Sequence, residues 1–172
     1  MFSHSPNKTA KIASDFASRL KKGSVLALTG NLGSGKTHFT KGLAQYFKIK
    51  KNITSPTFVL MKVYKVRNKR QETRDKKIQK YLPLNKGESA GAKRRLEGVE
   101  NKIKTLVHVD CYRLNDPVEL LAIGLGEYLN NPACLVVIEW AEKIKKILPK
   151  NSIWIKFSLG QKENERKIEI KK

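Results

Sequence analysis

Gly30 to Thr37 reads GNLGSGKT, and no other stretch restricts the chain so tightly. It meets G-x-x-x-x-G-K-[ST] at every fixed position, the pattern of a loop that wraps phosphate groups between a strand and a helix. Gly30, Gly33 and Gly35 allow a tight turn with no Cβ to hold the backbone away from a phosphate. The turned-in N–H groups and the N-terminus of the following helix then form an anion cradle. In such a loop Lys36 reaches the β- and γ-phosphates of a nucleoside triphosphate, and the Thr37 hydroxyl ligates Mg²⁺. The flanks suit this reading. Ser24 to Thr29 (SVLALT) is a β-prone apolar run, and His38 to Phe47 (HFTKGLAQYF) has the spacing of an amphipathic helix.

A loop of this kind needs an α/β frame, and 172 residues suffice for one domain with a substantial core. Upstream, Ile12, Ala13, Phe16, Ala17 and Leu20 mark one face of a helix expected over Thr9 to Lys22. Asn7 or Thr9 is its candidate cap, Gly23 its stop, and Lys21 and Lys22 complement the dipole in its last turn. Downstream, Ile53 to Tyr64 (ITSPTFVLMKVY) reads as a strand fed by a loop at Ser55 and Thr57, because Pro56 holds Ser55 extended. A Thr at this place in the chain can serve as a switch-loop sensor of the γ-phosphate and its metal.

Two further strands end in acids. In Thr105 to Leu114 (TLVHVDCYRL), His108 and Asp110 share one face of a period-two strand. Asp110 sits at the strand's C-terminal end, where α/β folds gather ligand groups, although a strand-end Asp also commonly caps a turn. Asp116-Pro117 opens a short helix through VELLAIGL, with Gly124 and Gly126 expected to break it. Cys134 to Glu139 (CLVVIE) is a continuous apolar run ending in a carboxylate, as in a central parallel strand buried on both faces. Burying an ionised Glu139 is costly without a cation or donors, and a Walker-B-like acid that serves Mg²⁺ resolves the cost. Trp140 and Glu142 follow at the start of a helix running to Leu148, and Ser152–Leu159 with Arg166–Lys171 forms a closing hairpin.

Charge adds a separate constraint. The chain carries 36 Lys and Arg against 15 Asp and Glu, a net +21 that suits contact with nucleic acid. Lys65 to Lys104 holds 14 of the bases and 5 of the acids with little apolar content, so it reads as a mobile basic insertion between two strands. Cys111 and Cys134 lack metal-ligand spacing and suit a reducing compartment. No apolar run approaches the roughly 20 residues of a membrane span. MFSHSPNKTAKIAS has no basic segment leading into an apolar one, so a cytoplasmic protein is expected.

Taken together, GNLGSGKT, SPTFVLMKVY, HVDCYRL, ELLAIGLGEYL and VVIEWAEK resemble the TsaE (YjeE) family of small P-loop ATPases. The resemblance covers nearly the whole chain apart from Lys65 to Lys104. It implies a P-loop NTPase-type three-layer α/β fold with a mainly parallel central sheet and an antiparallel edge hairpin. It also implies ATP and Mg²⁺ as cofactors, and TsaD and TsaB as partners in threonylcarbamoyl modification of the adenosine beside the anticodon of tRNA. Carried over by position, Lys36, Asp110 and Glu139 are catalytic, and Thr37, Glu139 and Asp110 serve the metal, Asp110 directly or through water. Nucleotide contacts fall to Asn31, Leu32, Gly33, Ser34, Gly35, Lys36, Thr37 and His38, with Thr57 and Trp140 from elsewhere. Ala141 stands where the family usually has Pro. Membrane association is not implied. tRNA contact is expected through the complex or, on charge alone, through the basic insertion, whose plainer reading is a solvated loop without a function.

Two rivals fit parts of the pattern. A small-molecule P-loop kinase would use the same loop but needs an Arg-rich lid and an acid at the acceptor hydroxyl. A basic RNA-binding module would need the insertion and not Lys36. A GTPase fits less well, since the four Asn-Lys pairs, at Asn7, Asn68, Asn85 and Asn101, all lack the Asp of N-K-x-D.

Overall fold

The computed structural model describes residues 1–66 and 103–171. In chain order these form β1 (Phe2–Ser3), α1 (Pro6–Ala17), β2 (Val25–Thr29), α2 (Lys36–Tyr46), β3 (Met61–Lys65) and β4 (Thr105–Asp110). Then come α3 (Val118–Ala122), α4 (Leu125–Leu129), β5 (Cys134–Glu139), a 3-10 segment (Ala141–Ile147), β6 (Ile153–Leu159) and β7 (Arg166–Lys171). The strands make one sheet in the order β1-β7-β6-β2-β5-β4-β3. Its centre, β6-β2-β5-β4, is parallel. Antiparallel strands flank both sides, β7 and β1 at one edge and β3 at the other.

Alternation along the buried strands decides the layers. Leu26, Leu28, Leu106, Leu135 and Val137 face α1 and α2, meeting Ala13, Ala17, Phe39 and Leu43. Val25, Ala27, Val107, Val109, Val136 and Ile138 face the other way, onto Leu120, Leu125, Leu129, Ala141 and Ile144. The expected three-layer α/β fold is therefore present, with a sheet that is parallel at its centre and mixed overall. β5 spans the six residues of CLVVIE, every one buried, as a strand sandwiched between two helical layers requires.

Several local expectations are corrected. The first helix runs from Pro6 to Ala17, not Thr9 to Lys22, because Ser5 caps it: its Oγ accepts from Lys8 N at 3.1 Å, and Pro6 presets the first turn. After Ala17 the chain tightens, with Arg19 N to Phe16 O at 3.0 Å and Leu20 N to Ala17 O at 3.2 Å, which turns Leu20 inward. Lys21 and Lys22 thus lie beyond the helix, and Gly23 (φ 68°) turns the chain toward β2. Gly124 (φ 85°) does break the α3 run, but Gly126 lies inside α4. The closing hairpin is present, although β1 pairs with its outer strand and takes the sheet edge.

The strand expected over Ile53 to Tyr64 forms only at Met61–Lys65. Ser55 to Leu60 is irregular, with Val59 N bonded to Pro56 O at 2.9 Å and Leu60 at φ 59°. Hydroxyl bonds to Asp110 capture this loop, and they outweigh the β-propensity of Phe58 and Val59, both left exposed. At the far end of β3, Val66 N bonds Lys104 O at 2.8 Å and Ile103 is fully buried. The insertion expected at 65–104 otherwise lies, over 67–102, outside the described residues.

Candidate nucleotide-binding site

The site forms where β2, β4 and β5 end. Thr29 leads into the phosphate loop, and Asp110 stands directly opposite Glu139 in the parallel register of β4 and β5. Gly30 (φ 131°) fits because the backbone of β6 passes beside it: a Cβ there would lie 2.1 Å from Phe157 O. Gly35 (φ 102°) ends the loop in the left-handed region, and α2 starts with Lys36 and Thr37. Below the turn, α1 supports the loop through Thr9, whose methyl would be 3.7 Å from a Cβ on Gly35.

A cleft of about 320 Å³ opens over this loop, at the small end of the range for ligand pockets. Leu32 to His38, Ser55, Thr57, Asp110, Tyr112, Glu139 and Trp140 line it. Of the residues expected at the site, only Asn31 is absent from the lining; its carbonyl accepts from Lys36 Nζ at 2.9 Å, beside Gly30 O at 2.6 Å. Lys36 Nζ also sits 4.0 Å from the centre of the Trp140 indole ring, and Trp140 reaches that place through a left-handed backbone at φ 59°. Burial pulls the Lys36 pKa below its ordinary value, while the charges of Glu139, Glu142 and Asp110 push back. The His38 imidazole is likewise lowered, first by burial and then by Lys41 and Arg166.

The two acids are held differently. Glu139 is divided: Oε2 accepts from the Thr37 hydroxyl at 3.0 Å, and Oε1 faces His108 Nε2 at 2.8 Å. Asp110 is occupied by its own loop. Its Oδ2 accepts from Thr57 Oγ1 at 2.6 Å and from Ser55 Oγ, and its Oδ1 accepts from Tyr112 N at 2.9 Å. The Tyr112 loop is braced in turn by Lys143 Nζ, 2.6 Å from Tyr112 O and 3.1 Å from Leu114 O. Asp110 therefore latches the Ser55–Thr57 loop to the strand end, a role the sequence reading did not assign it.

The residues fit a nucleotide with its metal. Ser34 Oγ is buried in the loop without a hydrogen-bond partner. Thr37, Glu139 and Asp110 offer the hard oxygen ligands that Mg²⁺ takes. No cluster of three or more His, Cys, Asp or Glu placed to hold a metal occurs among the described residues. Tyr112 and His108 are the site residues that the sequence reading left without a role here, and Ser55 entered it only as a member of the loop that carries Thr57. His108 had one usable signal, its shared face with Asp110.

A family model described as threonylcarbamoyl adenosine biosynthesis protein TsaE matches residues 3–75 and 96–168. The chain belongs to the TsaE family. It is 34% identical over 164 residues to the tRNA threonylcarbamoyladenosine biosynthesis protein TsaE of Bacillus subtilis, covering 95% of this chain and 78% of that protein. It is 30% identical over 170 residues to the protein of the same name from Rickettsia typhi, covering 98% and 92%. The crystal structure of Bacillus subtilis YdiB superposes with a TM-score of 0.63 at 27% identity, over 98% of this chain and 80% of that one. The internal stretch outside the family match, 76–95, is narrower than the 65–104 expected from composition. Among the described residues, no helix is long and apolar enough to cross a membrane.

Proposed function

We propose that this TsaE-family chain binds ATP with Mg²⁺, hydrolyses it, and acts with TsaD and TsaB in threonylcarbamoyl modification of the adenosine beside the anticodon of tRNA, in the cytoplasm. The observation that carries the reading is convergence: Lys36, Thr37, Glu139 and Asp110 come from three separate chain segments to one cleft over the phosphate loop. The family's place in threonylcarbamoyladenosine biosynthesis supplies the setting.

In this reading the loop N–H groups and the α2 N-terminus bind the phosphates. Lys36 exchanges its two carbonyl acceptors for phosphate oxygens, moving from a neutral partner set to an anionic one. Thr37 and Glu139, already hydrogen-bonded to each other, would hold Mg²⁺, with Asp110 near enough in register to serve it directly or through water. When bound, the metal neutralises charge on the phosphate oxygens. Catalysis is then positioning and electrostatics, with no side chain forming a covalent intermediate. Asp110, occupied by Ser55 and Thr57, ties the site to a loop whose Phe58 is 81% exposed. Contact of partner proteins with that loop would reset the latch, so the isolated chain hydrolyses ATP slowly.

The test is ATP hydrolysis with and without TsaD, TsaB and tRNA. A slow basal rate should rise when all partners are present, and Lys36→Ala or Glu139→Ala should lower it by roughly 10²-fold or more. A rate insensitive to both substitutions would overturn the reading. Phosphorylation of a small alcohol or nucleoside would replace it with the kinase alternative. Full function in the Lys36→Ala protein would favour the RNA-binding module.

A further inference from the structure

His108 is fully buried, yet none of the roles above uses it. It lies on the β4 face that carries Asp110, opposite Val137 on β5 and so one diagonal step from Glu139. Side chains at such diagonal positions start further apart than directly opposite ones. Here they meet, with Nε2 2.8 Å from Glu139 Oε1. The other ring nitrogen, Nδ1, is buried with no hydrogen-bond partner.

The Thr37 hydroxyl donates to Glu139 Oε2, and an Nε2–H tautomer of His108 donates to Oε1, so each carboxylate oxygen has its own partner. A Glu side chain has three rotatable bonds, and Thr37 alone would hold it at one oxygen. With Nε2–H on the second oxygen, the carboxylate plane is tied at both ends.

We propose that His108 is a positioning residue: it holds Oε1 of Glu139 from beneath the strand ends so that Oε2 stays at Thr37, facing the cleft. This rests on the reading of Glu139 and Thr37 as the Mg²⁺-side groups of an ATP site. Partners that orient a ligating carboxylate typically carry 10- to 100-fold of metal affinity or activity, and His108 belongs to that class. It acts through Glu139, touching neither nucleotide nor metal.

The test compares His108→Gln with His108→Asn. The Gln amide nitrogen can occupy the place of imidazole Nε2, whereas the Asn amide falls near Nδ1. Both are polar and similar in burial cost, and thermal melts verify that each folds. ATP affinity is measured by calorimetry in EDTA and again with Mg²⁺. His108→Asn should cut the Mg²⁺-dependent gain in affinity about 10-fold or more, and His108→Gln should keep most of it. ATP affinity in EDTA should be alike in all three proteins. Equal behaviour of the two variants would overturn the proposal, since a packing role would not distinguish where the amide lies.

A second readout needs no nucleotide. Long-range ¹H–¹⁵N spectra of the free protein should show His108 protonated on Nε2, and Glu139→Ala should abolish the protected Nε2–H signal. Protonation on Nδ1 would overturn the proposal. If the unsubstituted protein binds no ATP under either condition, the nucleotide reading fails, and these spectra still decide whether His108 holds Glu139.

Discussion

Gly42 lies in the middle of α2, facing α1. A Cβ added there would fall 2.1 Å from the carbonyl oxygen of Ala10 and 2.7 Å from its Cα and carbonyl carbon. These are backbone atoms of a packed helix, so no rotamer change can relieve the clash. Restoring ordinary contact, at about 3.4 Å, requires α1 and α2 to part by about an ångström. Gly→Ala within a helix is otherwise favourable by about 1 kcal/mol. Overpacking of this kind costs about 1–3 kcal/mol, and the backbone obstacle places it at the upper end, so the balance is a net loss of about 2 kcal/mol. In a chain of this size that lowers the Tm by about 4–8 °C. Gly126 supplies the internal control. It too is helical, but its Cβ would meet only Leu121 Cδ2 at 4.0 Å, so Gly126→Ala should stabilise by up to about 1 kcal/mol. Urea and thermal unfolding of both variants give the comparison. A Gly42→Ala protein as stable as the parent would refute the claimed approach of the two helices. Because α2 begins with Lys36 and Thr37, the same substitution should also weaken phosphate binding.

Other expectations follow from single contacts. Thr57→Ala and Asp110→Asn should be non-additive in unfolding free energy, with a coupling of about 0.5–3 kcal/mol from a double-mutant cycle; additivity would mean that the latch is not formed. Lys143→Ala removes the donor shared by the Tyr112 and Leu114 carbonyls, and hydrogen exchange through 111–114 should speed up while that of β5 is unchanged. Cys111 and Cys134 are buried, and burial pushes the Cys111 thiol up to about 12. Neither should be alkylated by iodoacetamide at pH 8 in the folded protein, and both should react once denaturant is added; labelling of the native state would contradict their place in the core.

Much of the molecule was legible from residue order. GNLGSGKT and its flanks identify a strand, a turned loop and a helix because their demands are local: glycine at turned positions, an apolar run before, amphipathic spacing after. CLVVIE was legible for a related reason, since a strand covered on both faces cannot alternate and must read as unbroken apolar sequence. Where competing local signals decided the outcome, the boundaries moved. Ser5-Pro6 outranked Asn7 and Thr9 as a helix start, and the Asp110 latch held Phe58 and Val59 out of a strand that their propensity favoured.

What the sequence by itself determined is the chemical inventory and the order of elements: a phosphate loop with Lys36 and Thr37, two strand-end acids, and a family pattern spread over nearly the whole chain. Only the tertiary structure decided who meets whom. The register that sets Asp110 opposite Glu139, and His108 one diagonal away, depends on strands joined through the chain between them, and no local pattern encodes that pairing. The same holds for the division of labour between the acids. Glu139 is shared between Thr37 and His108, and Asp110 is committed to Ser55, Thr57 and Tyr112, because hydrogen bonds are short and directional and are set by through-space geometry.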